Sequence, residues 1–112
     1  MRRNLNTILR RLFIINTGPP KIKVPPRFKD TIAEYAKGDT IKIKVPISGF
    51  PKPDSAWTIE GASVKHSVVV TDRHSIMTIE NAKRSDTGAY RITAENEQGQ
   101  DDAILKLSIN GT

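Results

Sequence analysis

The sequence predicts an all-β domain built as a sandwich of two antiparallel sheets. Three observations carry that reading. From Arg27 onward, apolar residues alternate with polar ones, and turn residues recur every eight to twelve positions, the mark of short half-buried strands. The run Asp86-Thr87-Gly88-Ala89-Tyr90-Arg91-Ile92 follows a single tryptophan, Trp57, by about thirty residues, which reads as a strand corner facing a central aromatic. Beyond residue 18, no stretch longer than a turn repeats its apolar residues at helical spacing.

The elements follow in order. Residues 1–18 stand apart: Leu5, Ile8, Leu9, Leu12 and Phe13 share one helical face, Arg2, Arg3, Arg10 and Arg11 lie mostly elsewhere, and there is no acid. Such a basic amphipathic segment resembles a transit peptide or an interfacial helix. The alternative is a leader outside the domain, disordered or loosely attached, arising as a linker or an alternative start. Contact with a membrane is expected only if it is an interfacial helix. Pro19-Pro20 and Pro25-Pro26 bias residues 19–26 to an extended linker or edge strand.

Residues 27–35 read as a first, edge-type strand pair, closed by the turn Lys37-Gly38-Asp39. Ile41, Ile43, Val45 and Ile47 alternate with Lys42, Lys44 and Pro46 in a half-buried strand. Pro46 lacks an N–H, so a bulge or an unpaired ladder position is expected there. Residues 48–53 form a long turn, residues 55–59 a strand holding Trp57, and Glu60-Gly61 a second turn. Short strands follow at residues 68–71 and 76–80, the latter with Met77 and Ile79 on one face. Residues 82–88 make the corner. Residues 89–95 and 102–109 form a last hairpin through Asn96-Glu97-Gln98-Gly99, where glycine takes positive φ without steric cost.

Composition sets the outer limits. A chain of 112 residues is one domain's worth, and at that size a core forms without covalent staples. The absence of cysteine excludes a disulfide, a thiolate metal site and a thiol nucleophile. It also points to a reducing compartment. No run of about eighteen apolar residues is present to cross a membrane as a helix. The net charge of +6 is unevenly spread: four arginines lie in residues 1–18, leaving fourteen basic residues against twelve acids, a net of +2, in the remainder. The high charge therefore belongs mostly to the leader. With few aromatics to stack bases, nucleic acid is not the expected partner.

The motifs together resemble an immunoglobulin domain of the intermediate set over residues 27–110. The matching residues are Gly38, the strand ending near Val45, Gly49-Phe50-Pro51-Lys52-Pro53, Trp57, Met77 and Ile79, Ala82, Asp86-x-Gly88-x-Tyr90, and Asn96-x-x-Gly99. The Gly-aromatic-Pro-x-Pro run looks like modules of the giant muscle proteins titin and twitchin, and residues 81–88 followed by residues 96–104 are particularly similar to twitchin modules. The resemblance implies two Greek-key sheets without a disulfide, since Val45 and Ile92 stand at the two cysteine positions. It implies a core of Trp57, Val45, Ile92, Ile43, Met77, Ile79 and Leu105. It also implies a tyrosine corner at Asp86, Gly88 and Tyr90, with the Tyr90 hydroxyl bonded to backbone a few residues upstream. An ordinary strand tyrosine is the alternative. By the same resemblance Arg73 pairs with Asp86, against the alternative of a solvated Arg73.

Catalytic constellations are missing. His66 and His74 come with no cysteine and no clustered carboxylates, so zinc is not expected. There is no Gly-x-Ser-x-Gly elbow and no phosphate-loop glycine spacing. Asp101-Asp102 reads as the solvated start of the last strand rather than a paired-acid site. Asn110-Gly111-Thr112 fits a glycosylation acceptor but has no secretory signal ahead of it. The expected function is a non-enzymatic, cofactor-free, cytoplasmic module of a sarcomeric or cytoskeletal filament protein. Its partners by resemblance are thick-filament myosin and neighbouring modules. The alternatives are a module flanking a kinase, as in myosin light chain kinase, and an extracellular adhesion or receptor domain.

Overall fold

In the computed structural model, which describes residues 17–111, the strands are β1 (Gly18–Ile22), β2 (Ile32–Ala36), β3 (Ile41–Phe50), β4 (Asp54–Ile59), β5 (Ala62–Ser63), β6 (Ser67–Val70), β7 (His74–Ile79), β8 (Gly88–Asn96) and β9 (Gly99–Asn110). They form two sheets, with orders β1-β3-β7-β6 and β2-β9-β8-β4-β5. Every second residue of β3 is buried, from Ile41 to Ile47, and the lysines between them are exposed. That period of two is what a sheet with one wet face requires. The expectation of a leader over residues 1–18 falls almost wholly outside the described residues; Gly18 itself already belongs to β1.

The start of the domain departs from the sequence reading. Residues 27–35 do not form a strand pair. Pro26–Phe28 makes a short 3-10 turn, and only residues 32–36 are extended. The Pro-rich run 19–22 lies in the edge strand β1, antiparallel to β3 in the first sheet. The chain then crosses to the second sheet, where β2 runs parallel to β9. Prolines at positions 19, 20, 25 and 26 suit this route, because an edge strand and a crossover leave few ladder bonds for a missing N–H to break.

Pro46 is accommodated without a bulge in β3. It stands opposite His74, but on that side the ladder bond comes from its neighbour: Ile47 N–H donates to Arg73 O at 2.8 Å. The pyrrolidine nitrogen therefore faces β1, at the last rung of that ladder. The Pro46 carbonyl still accepts from Lys23 N–H at 3.0 Å. The one irregularity of the β1–β3 ladder lies between Gly18 and Lys21, where Pro19-Pro20 sits. Gly49 lies beside it at φ +133°, and a Cβ there would stand 2.9 Å from Pro20 Cα. Close approach of two backbones is what requires glycine at that point.

The edges are closed by side chains. Ile22 N–H points away from β3 and donates to Asp101 Oδ2 of β9 at 2.8 Å. Asp101 is half-buried, so it is a cross-sheet clasp, not the solvated residue that its acidic neighbour suggested. Asp102 instead pairs with Arg91 on the exposed face. At the same end of the molecule, Asn96 Nδ2 donates to Gly18 O at 2.9 Å and Pro51 O at 3.0 Å. At the opposite end, Gly38 N–H donates to Ala82 O and Ala82 N–H to Asp39 O. Both cross-links tie loops that have no sheet of their own to brace them.

Between the sheets, Val45 on β3 and Ile92 on β8 are both fully buried in one cluster with Trp57, Met77 and Leu105. Replacing the pair with cysteine, Val45→Cys with Ile92→Cys, should give a bridge under oxidising conditions, provided their Cα atoms lie within about 7 Å. Such a bridge should raise stability by up to about 4 kcal/mol for a loop of this length in the entropic model. Oxidised, folded protein that keeps two titratable thiols would contradict the facing of these two positions.

Candidate functional site

The inward face of β7 carries Ser75, Met77 and Ile79, all buried. Ser75 is the only buried polar side chain among the described residues. Its hydroxyl oxygen accepts from the indole N–H of Trp57 at 2.8 Å, and Ser55 Oγ lies 2.8 Å from it. Trp57 and Ser55 are on β4 of the second sheet, Ser75 on β7 of the first. A buried indole N–H without a partner would cost roughly 1–3 kcal/mol, so this contact removes a penalty and stitches the sheets in one step. Sequence reading placed Trp57 at the centre but overlooked Ser75. The available signal was a serine in phase with Met77 and Ile79, an inward position that demands a polar partner.

The residues expected in the core are placed as follows. Trp57, Val45, Ile43, Met77, Ile79, Ile92 and Leu105 are each no more than 2% exposed. Trp57 pairs with Ile92 across the β4–β8 ladder. Leu107, Ile109 and Phe28 extend the same cluster.

At the corner before β8, three groups meet on Asp86. Tyr90 O–H donates to Asp86 O at 2.6 Å. Asp86 Oδ2 accepts from Lys83 N–H at 2.9 Å, and Asp86 Oδ1 lies 3.2 Å from His66 Nε2. Gly88 allows Ile59 to pack against the turn, since a Cβ there would meet Ile59 Cδ1 at 2.8 Å. Thr87 Oγ1 accepts from Ile109 N–H at 2.9 Å, tying the corner to β9.

The pairing of Asp86 with Arg73 is not formed. Arg73 sits in the turn between β6 and β7, beside Phe50 and Lys52, whereas Asp86 faces the approach to β6 at the other end of that strand. The basic residue that reaches Asp86 is therefore the one preceding β6, His66. Running direction decides this, and a motif without strand directions does not contain it.

Few features invite small-molecule chemistry. The His66–Asp86 pair lines a shallow groove of about 340 Å³ with Tyr90 and Ile59. A second groove, of about 570 Å³, lies at the opposite end between Pro46, Phe50, Arg73 and His74. Among the described residues, no three His, Asp or Glu side chains converge as metal ligands. What the surface offers instead is exposed apolar side chains, Ile32, Phe50, Val69 and Ile104, set on otherwise polar sheet faces.

Burial, with the Asp86 carboxylate adding to it, pushes the Tyr90 hydroxyl up to about 12. A tyrosine whose folded pKa stands above its unfolded value binds its proton more tightly when folded. Its contribution is whole below about pH 10 and is lost as the pH rises towards 12. Tyr90→Phe should therefore lower stability at pH 7 by about 1 kcal/mol, the net worth of one hydrogen bond. It should also flatten the fall in stability above pH 10. Chemical denaturation across pH 7–11 reads both, and a variant matching the parent at every pH would contradict the role given to the hydroxyl.

With this geometry in hand, comparison with known proteins is direct. The immunoglobulin I-set domain model matches residues 20–109. Human myosin-binding protein H is 32% identical over 97 residues, taking in 84% of this chain and 20% of that protein. Muscle M-line assembly protein unc-89 of Caenorhabditis elegans is 31% identical over 102 residues, 86% of this chain and 1% of that protein. The chain thus spans a fifth or less of these relatives. Among solved structures, titin domains A168-A170 superpose with a TM-score of 0.78 at 26% identity, over 81% of this chain and 33% of that one. Titin domains z1z2 in complex with telethonin share the fold at a TM-score of 0.76 and 22% identity, over 88% of this chain and 51% of that one. The first strand divided between two sheets, the central tryptophan, the Tyr90 corner and the matched span agree, and the chain belongs to the immunoglobulin I-set family.

Proposed function

We propose that this chain is a non-catalytic structural and interaction module of a muscle filament protein, one unit in a tandem array that docks on the thick filament in the cytoplasm. Its similarity to myosin-binding protein H and unc-89 supports the muscle setting. The observation that carries the array is where the strands put the two ends of the fold. Gly18, at the start of β1, is held by Asn96 beside the β8–β9 turn. Asn110 closes the other end of the twelve-residue β9, where its carbonyl accepts from Lys37 N–H. At the usual rise per residue, β9 separates these ends by roughly 36 Å. A module entered at one pole and left at the other extends a chain rather than folding it back.

The grooves beside His66 and beside Arg73 lie at the poles of the sandwich, which leaves binding to the faces and poles. A single flat contact of this kind is weak, and linked copies gain through effective concentration rather than through new contacts. Cosedimentation with purified myosin filaments at physiological salt tests the reading. The single chain should pellet feebly, and two copies joined in tandem should bind on the order of a hundredfold more tightly. Failure of the tandem to pellet above an unrelated protein of equal charge would refute the thick-filament reading. Stoichiometric binding of the single chain to a nucleotide would refute the non-catalytic one.

A further inference from the structure

We propose that the outer face of the β1-β3-β7-β6 sheet is a docking surface for an acidic amphipathic helix of a protein partner. The two faces of this sandwich carry opposite charge. On the outer side of the first sheet stand Lys42 and Lys44 of β3, and further along the same strand Lys23 lies opposite Pro46 and Lys21 of β1 opposite Ser48. All four are exposed, and no Asp or Glu stands among the outward strand positions of this sheet. On the outer side of the second sheet, Glu34, Asp54, Glu95 and Asp102 outnumber Arg91 and Lys106. The ion pairs among the described residues are His66 with Asp86 and Arg91 with Asp102. None of the four lysines has a carboxylate partner among the described residues.

Four unpaired like charges on one sheet repel one another, a cost that an acidic partner turns into attraction. The same face is not uniformly polar. Val69 of β6 lies beside Ile76 of β7, which lies beside Lys44, and Val69 is 53% exposed. Phe50, 49% exposed, borders the groove of about 570 Å³ at the end of β3. Asp72 is the one carboxylate on that groove. The face therefore sets lysines beside one apolar pair, Ile76 and Val69, and a sugar-phosphate backbone has no groups to meet that pair.

Spacing on this face fits a helical partner. Successive outward residues on a strand lie about 6.8 Å apart, close to the roughly 6 Å between residues four apart on a helix. A helix with carboxylates at that interval and apolar residues on the adjoining stripe meets Lys42, Lys44 and the Ile76–Val69 pair at once. The inference rests on reading the chain as an interaction module, not on the identity of the filament.

The test uses the full chain and a synthetic helical peptide with glutamate and leucine in those two stripes. Binding should be weak, fall with salt, and drop on the order of tenfold in Lys42→Glu with Lys44→Glu. Lys37→Glu with Lys106→Glu, equal in charge but off this face, should change it less than about twofold. Val69→Ser should weaken it too, and polyglutamate, which has no apolar stripe, should bind less well. Thermal midpoints for each variant guard against loss of fold. Equal loss in both charge variants would overturn the proposal, because only net charge would then matter. So would tighter binding of duplex DNA or phosphatidylserine vesicles through the same lysines, or a self-association that the Lys42 and Lys44 changes abolish. Filament pelleting that survives those changes overturns this face but leaves the module reading. Peptide binding without filament pelleting supports this face and refutes only the thick-filament reading.

Discussion

Everything in this sandwich is arranged around one polar contact in an apolar place, the indole N–H of Trp57 on the Ser75 hydroxyl. A tryptophan is the largest filler available for the gap between two sheets, about 10 Å across. It brings a donor with it, and a donor left unmet there is expensive. Ser75 meets that donor from the facing sheet, and Ser55 completes the cluster. With Val45 and Ile92 where bridged relatives carry cysteine, no covalent link holds the sheets. Packing supplies most of the cohesion, and the Trp57–Ser75 contact sets which face of β4 meets which face of β7. A shift of one residue in either strand would bury a different set of side chains and break the contact.

The rim repeats the same economy. Asp101 satisfies an edge N–H of β1, Asn96 holds two carbonyls at one pole, and Asp86 gathers Lys83, His66 and Tyr90 at the other. With the poles closed by side chains, the faces remain for partners. That division matches a module whose work lies in spacing and contact, and it leaves the lysine-bearing face as the part of the surface with the most uncompensated charge.

Much of this could be read from the sequence, and the reasons are local. The alternation in residues 41–47 gives β3, because burial on one face forces period two. Residues 89–95 and 102–109 give the last hairpin from the same pattern, and the structure extends both strands to the turn at residues 96–99. Trp57 is central because no other side chain of that size is available. What escaped depends on how strands face one another. Ser75 looks like an ordinary polar residue until Trp57 is opposite. Asp101 looks solvated until β1 lies across from it. His66, not Arg73, reaches Asp86 because of the direction in which β6 runs. The prolines of residues 19–26 signalled an edge or a linker, but not a strand that leaves one sheet for the other. Each of these is a pairing between segments far apart in sequence, which periodicity within a segment does not encode.

The central claim is tested most directly by a double-mutant cycle on Trp57→Phe and Ser75→Ala, with stabilities from urea denaturation. Ser75→Ala in the parent strands the indole N–H and should cost roughly 2 kcal/mol. In the Trp57→Phe background there is no donor to strand, and the same change should cost at least about 1 kcal/mol less. Costs that add to within about 0.3 kcal/mol would show that the two side chains act independently, and would contradict the cross-sheet contact as the feature on which the fold depends.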